Sequence, residues 1–125
     1  LLDARSCEAD VQRAADAARD ADLVLIALAI RTRSGAGQIA VPEAARRAIE
    51  ALAAGVKTVA VAFGSPYVLR DLPALQTYLC AYGAQPVMQT AAVRALFGEA
   101  PIGGRLPVTI PGLHGRGEGI EKGLQ

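Results

Sequence analysis

The chain has 125 residues, enough for one domain, and its thirteen Lys and Arg against twelve Asp and Glu leave a net charge of +1. The basic residues are scattered and only 4% of residues are aromatic, so we expect no nucleic-acid partner. The longest apolar run, residues 23–30, is too short for a bilayer, and the first residues lack signal-peptide features, so we expect no membrane partner and favour the cytoplasm over export.

The first half of the chain predicts two helix–strand pairs. Ser6 can cap a helix over residues 8–20, whose apolar residues recur every three or four positions. Residues 23–30 show no polar alternation, which is typical of a parallel strand covered on both faces. After a polar loop at residues 31–41, Pro42 suits the first turn of a helix that Gly55 ends. A second buried strand is then expected over residues 57–63, immediately before Gly64.

The second half predicts shorter elements. Residues 68–72 are too few for a full crossover helix and suggest one irregular turn. Residues 76–82 indicate a third strand, Pro86 begins a helix that ends near Gly98, and residues 106–110 suggest a short strand.

This alternation predicts an α/β fold, namely a three-layer α/β/α sandwich with a mostly parallel sheet. Because a helix comes first, we expect the first strand or strands to be missing and one sheet edge to be incomplete. Residues 1–113 are predicted to form the domain. Residues 114–125 are Gly-rich and charged and are expected to be a poorly ordered tail.

Two cysteines and one histidine are too few for a disulfide framework or a metal site. We therefore expect Cys7 and Cys80 to be reduced, largely buried thiols, and we expect no metal or cofactor.

Four residues after the second strand predict a structural turn: Gly64, Ser65, Pro66 and Tyr67. Glycine permits a tight path, the serine hydroxyl can bond nearby backbone, and proline fixes φ. A nucleophile at Ser65 is not favoured, because the G-x-S-x-G elbow is absent and the only His, His114, lies in the Gly-rich tail.

Residues 35–40, Gly-Ala-Gly-Gln-Ile-Ala, match the G-x-G-x-x-A form of a dinucleotide fingerprint. Four polar residues separate the strand from Gly35, and the helix near Pro42 begins too late to meet a pyrophosphate. Nucleotide binding is therefore not favoured. A free-standing module that binds a nucleotide or sugar, or has a regulatory role, near residues 31–37 and 64–67 stays open as the alternative function.

Glycoside hydrolysis generally needs two carboxyl groups that face one sugar bond. The acidic residues of this chain lie on predicted helix surfaces or on loops far apart in sequence. We therefore expect no catalytic residue on this chain.

Four segments, in fixed order, carry a resemblance to a known family: residues 61–67 (VAFGSPY), 78–82 (YLCAY), 91–99 (AAVRALFGE) and 103–111 (GGRLPVTIP). They resemble the C-terminal domain of family 3 glycoside hydrolases, particularly the β-N-acetylhexosaminidase-like branch. The resemblance covers nearly the whole chain. Residues 116–119, Arg-Gly-Glu-Gly, resemble the family's Arg-Gly-His-Gly-like tail, with Glu118 where His is common.

The resemblance implies that a preceding (β/α)8 barrel carries an Asp nucleophile and that this domain packs beside it. Many β-glucosidase members place a Glu acid/base in the loop that corresponds to residues 31–42, which here has no Glu or Asp. That departure fits the hexosaminidase-like branch, which uses a His–Asp pair on a barrel loop. The implied parent protein hydrolyses terminal β-linked amino sugars with retention. This chain alone is then expected to be inactive.

In the loop itself, four residues are candidates for contact with the carbohydrate substrate: Arg31, Arg33, Ser34 and Gln38. Arginine offers a planar donor fork, and glutamine offers both a donor and an acceptor. The alternative is that the arginines only solvate the loop or hold an interdomain surface.

Overall fold

The computed structural model describes residues 7–30 and 40–124. The described elements, in chain order, are α1 (Glu8–Ala18), β1 (Val24–Leu28), α2 (Glu43–Gly55), β2 (Thr58–Ala62), a 3₁₀ helix (Pro66–Asp71), β3 (Thr77–Cys80) and α3 (Pro86–Leu96). The 3₁₀ helix replaces the irregular turn predicted over residues 68–72 and is the only helix in the crossover between β2 and β3. Apart from it, the connections between strands follow the predicted alternation of helix and strand.

The three strands form a parallel sheet in the order β1-β2-β3. Val24 pairs with Thr58 at the start of β1 and β2, and Ala60 pairs with Tyr78 in β3. Helices α1 and α2 contact each other. The prediction of an α/β sandwich built on parallel strands is confirmed.

The hydrophobic core lies on one face of this sheet. Partner residues in parallel strands share a face, so this face carries Ile26, Leu28, Ala60, Ala62, Tyr78 and Cys80. Ala45 and Ile49 of α2 pack against it, as do Val68 within the 3₁₀ helix and Leu72 directly after it. Leu72 is fully buried, and burial of such a side chain stabilises the fold by about 1.5–3 kcal/mol.

The opposite face of β1 is not covered by the described residues. Leu25 is 53% exposed, and Ala27 is exposed too. Within residues 7–30 and 40–124, β1 pairs only with β2. The run over residues 23–30 therefore lies in an edge strand covered on one face, although its composition predicted cover on both.

The C-terminal residues correct two predictions. Residues 106–110 do not form a strand, since only isolated antiparallel bridges join Ile102 to Lys122 and Ile110 to His114. Pro107 lacks a backbone N–H and cannot donate to a ladder. Residues 114–124 are not a poorly ordered tail, because they return along residues 102–110: Ile102 and Lys122 exchange two 2.8 Å backbone hydrogen bonds. The division into residues 1–113 and 114–125 stays a prediction.

The cysteines also differ from expectation. Ser6 lies outside the described residues, and Cys7 is the N-cap of α1. Cys7 is exposed, so the prediction of a buried thiol is wrong there. Cys80 is half-buried, donates to the Gly64 carbonyl over 3.6 Å, and has its pKa raised by burial. In the described ranges, every helix is too short or too polar to cross a membrane.

Candidate functional site

The carboxyl ends of β1, β2 and β3 meet at one edge of the sheet, where open α/β sheets place their ligand sites. Two hydrogen bonds continue the strand ladders to this edge. The Phe63 N–H donates to the Leu28 carbonyl over 2.8 Å, and the Ala81 N–H donates to the Ala62 carbonyl over 2.9 Å. These two hydrogen bonds therefore fix the position of the turn at Gly64 relative to β1 and β3.

The turn itself is organised by its own side chains. Ser65 is the N-cap of the 3₁₀ helix, and its Oγ accepts the Tyr67 N–H over 3.3 Å. Pro66 is buried at the first helical position, where it needs no N–H partner. A Cβ added at Gly64 would lie 3.5 Å from the Ile30 carbonyl oxygen, an ordinary contact. The arrangement holds the backbone and offers no base to activate the Ser65 hydroxyl.

An anchor that the sequence analysis missed lies beside this turn. The Asp71 Oδ2 accepts the backbone N–H of Val41 over 2.8 Å. This bond joins the chain just before α2 to the end of the 3₁₀ helix. The two residues are thirty positions apart, so no local pattern signals the contact. Its effect is to fix Val41, which follows the loop at residues 31–39, at the end of the 3₁₀ helix.

The predicted substrate contacts on that loop, Arg31, Arg33, Ser34 and Gln38, lie outside the described residues. Gly35 and Gly37 of the fingerprint lie there too. All of these stay predictions. Where the description resumes, Pro42 is the N-cap of α2 and makes no side-chain capping bond.

The described carboxylates with shifted pKa values are all shifted downwards. Hydrogen bonds from the Cys7 backbone and thiol lower the pKa of Asp10, and the Arg46 guanidinium lowers that of Glu43. The Gly115 N–H and the His114 ring lower the pKa of Glu118. A general acid in glycoside hydrolysis needs a raised pKa. None of these three groups is therefore suited to that role.

Several carboxylates are engaged in ion pairs on helix surfaces. Arg46 contacts Glu43 at 2.7 Å and Glu50 at 2.9 Å along α2. On α1, Arg19 contacts Asp16 at 2.7 Å. Such exposed pairs contribute about 0–1 kcal/mol each to stability. Over residues 7–30 and 40–124, no group of three or more His, Cys, Asp or Glu side chains is placed to hold a metal ion.

Comparisons with known proteins identify the family of the chain. Residues 3–119 match the model of the glycosyl hydrolase family 3 C-terminal domain. A β-N-acetylglucosaminidase/β-glucosidase of Cellulomonas fimi is 36% identical over 89 residues, which is 70% of this chain and 16% of the relative. The match thus spans about a sixth of that relative. No solved structure shows significant similarity. The chain belongs to the glycosyl hydrolase family 3 C-terminal domain family.

Proposed function

We propose that this chain is the C-terminal domain of a β-N-acetylhexosaminidase-like glycoside hydrolase, whose nucleophile lies on an N-terminal (β/α)8 barrel of the parent protein. The observation that carries the choice of branch is the absence of any Glu or Asp between residues 31 and 42. In the β-glucosidase pattern, that loop supplies the acid/base. The name of the Cellulomonas fimi relative includes both activities, so the relative supports the glycosidase and leaves the preferred sugar to experiment.

The domain's role in this proposal is to support the barrel and to shape the entrance of its active site. The turn at residues 64–67 begins the 3₁₀ helix, and the Asp71–Val41 hydrogen bond joins the end of that helix to the residues that follow the loop at 31–39. A loop fixed at its exit can place side chains at a site on a neighbouring domain. Arg31 and Arg33 are the loop cations that would reach a sugar or the barrel surface.

Substrate preference in the parent protein tests the branch. Hydrolysis of nitrophenyl β-N-acetylglucosaminide is expected to exceed that of nitrophenyl β-glucoside in kcat/KM. A clear preference for the glucoside would reject the hexosaminidase-like branch and keep the family.

The loop is tested in the same parent protein with Arg31→Ala and Arg33→Ala. If either guanidinium bonds the sugar, its loss should lower kcat/KM by roughly 10- to 150-fold, because a hydrogen bond to a charged group contributes roughly 1.5–3 kcal/mol. Arg19→Ala on α1 is the matched control and should keep wild-type kinetics. Wild-type kinetics for both loop variants would mean that these arginines do not contact the substrate.

A further inference from the structure

An open cavity of about 900 Å³ lies between β3 and residues 100–123. Small-molecule sites are typically about 300–1,000 Å³, so the volume suits a ligand of that size. Leu79 of β3 and Leu96 of α3 contribute apolar surface, and Ile102 and Ile110 contribute more from the C-terminal segment. The cavity is separate from the turn at residues 64–67, none of which lines it.

Polar groups of both charge signs also line this cavity. Arg105 and Lys122 provide donors, Glu118 provides acceptors, and His114 lies beside Glu118. The Arg105 guanidinium is itself paired with the Glu121 carboxylate, which offsets its charge. A wall with both signs gives neither a free anion nor a free cation a clear advantage. It suits a neutral ligand whose groups both donate and accept hydrogen bonds, as hydroxyls do.

Hydrogen bonds within the C-terminal segment hold these polar side chains in place. The Nδ1 of His114 lies 3.0 Å from Oε2 of Glu118, and the other oxygen of Glu118 accepts the Gly115 N–H. The Arg105 guanidinium donates to the Gly119 carbonyl over 2.6 Å. Each carboxylate oxygen keeps a lone pair, and the guanidinium keeps further N–H donors. The groups are therefore oriented before a ligand arrives, which lowers the entropy cost of binding.

Two tyrosines, Tyr78 of β3 and Tyr82, line the cavity. Tyr82 lies two residues after the end of β3 and is 46% exposed. Its φ of 59° is the only positive value at a non-glycine residue in the part of the chain that the structure describes. Such a backbone costs about 1–3 kcal/mol and tends to occur at ligand sites. A strained residue that presents an exposed ring to a cavity is an independent indication of a binding role.

We infer that this cavity binds a neutral pyranose sugar, with the Tyr82 ring against the apolar face of the sugar and with Arg105, His114 and Glu118 bonding its hydroxyls. The inference goes beyond the proposed function, because the site lies wholly within this chain and no bond is broken there. Its failure would leave the assignment to a glycoside hydrolase untouched.

The first test is titration of the ¹⁵N-labelled chain with methyl β-N-acetylglucosaminide and methyl β-glucoside, with sorbitol as an open-chain polyol control. We expect at least one glycoside to give saturable shifts at Tyr82 and residues 105–118, with a Kd on the order of 1 mM, and sorbitol to give none. The absence of saturable shifts with both glycosides would overturn the inference. Shifts centred on residues 64–67 would also overturn the inference, because the sugar would then bind at the carboxyl ends of the strands and not in the cavity.

The second test separates ring contact from a structural role. Tyr82→Phe keeps the ring and should bind as the wild type does, whereas Tyr82→Leu should bind about tenfold more weakly. Glu118→Gln should also weaken binding about tenfold, because it removes a charged acceptor. Glu50→Gln on α2 is its matched control and should change nothing. Wild-type affinity in Tyr82→Leu, with an unchanged amide spectrum elsewhere, would contradict the site.

Discussion

Removal of the Asp71 carboxylate should lower the free energy of unfolding, although Asp71 lies in a short connection between two strands. In Asp71→Ala, the Val41 N–H loses its 2.8 Å acceptor. Val41 is only 6% exposed, so water cannot readily replace the carboxylate. A buried donor left without a partner costs about 1–3 kcal/mol. For a chain of this size, each kcal/mol lowers Tm by roughly 3–5 °C, so the expected fall is about 3–15 °C.

Urea unfolding followed by far-UV circular dichroism measures this change. Asp71→Asn should lose less stability than Asp71→Ala, because the amide oxygen can still accept the Val41 N–H. Asp20→Ala, at an exposed position after α1, is the matched control and should remain within about 0.5 kcal/mol of the wild type. A loss below about 0.5 kcal/mol in Asp71→Ala would refute the role of Asp71 as the loop anchor.

Three further predictions concern the core, the helix surface and the thiols. Leu72→Ala should reduce the free energy of unfolding by about 2–5 kcal/mol, because Leu72 is fully buried; a loss below about 1 kcal/mol in a urea titration would contradict this packing. Arg46 lowers the pKa of Glu43, so their attraction is present above the ordinary Glu value of 4.5 and is lost as pH falls through the lowered pKa. The stability of Arg46→Ala should therefore fall less than that of the wild type on acidification below pH 4.5, and an equal fall would count against the pair. Cys7 is exposed whereas Cys80 is half-buried with a raised pKa, so iodoacetamide followed by mass spectrometry should label Cys7 first, and the reverse order would reject this assignment.

The elements that sequence predicted best are those whose signal is local. The apolar runs of β1 and β2 follow from composition, and Pro42 and Gly55 lie at the two ends of α2. A local pattern also indicated the turn after β2, since proline fixes φ and glycine permits a tight backbone path wherever they occur.

The contacts that sequence did not predict join residues far apart in the chain. The Asp71–Val41 bond spans thirty residues, and residues 114–124 are held mainly by backbone groups, which every residue type carries alike. The positive φ of Tyr82 is not visible in the sequence, because a pattern of side chains does not reveal the backbone conformation. The exposed Cys7 was mispredicted because the thiol bonds Asp10 at the start of α1 instead of entering the core.

The central claim is that this chain supports a glycosidase without supplying its catalytic groups. Its most direct test is hydrolysis of nitrophenyl β-N-acetylglucosaminide by the purified chain and by the parent protein, at equal molar concentrations. The account predicts turnover by the parent and none above the buffer rate by the chain. Turnover by the purified chain would contradict the account if the activity co-purifies with the chain. The activity must also disappear when one of the chain's own carboxylates is replaced, for example in Glu118→Gln.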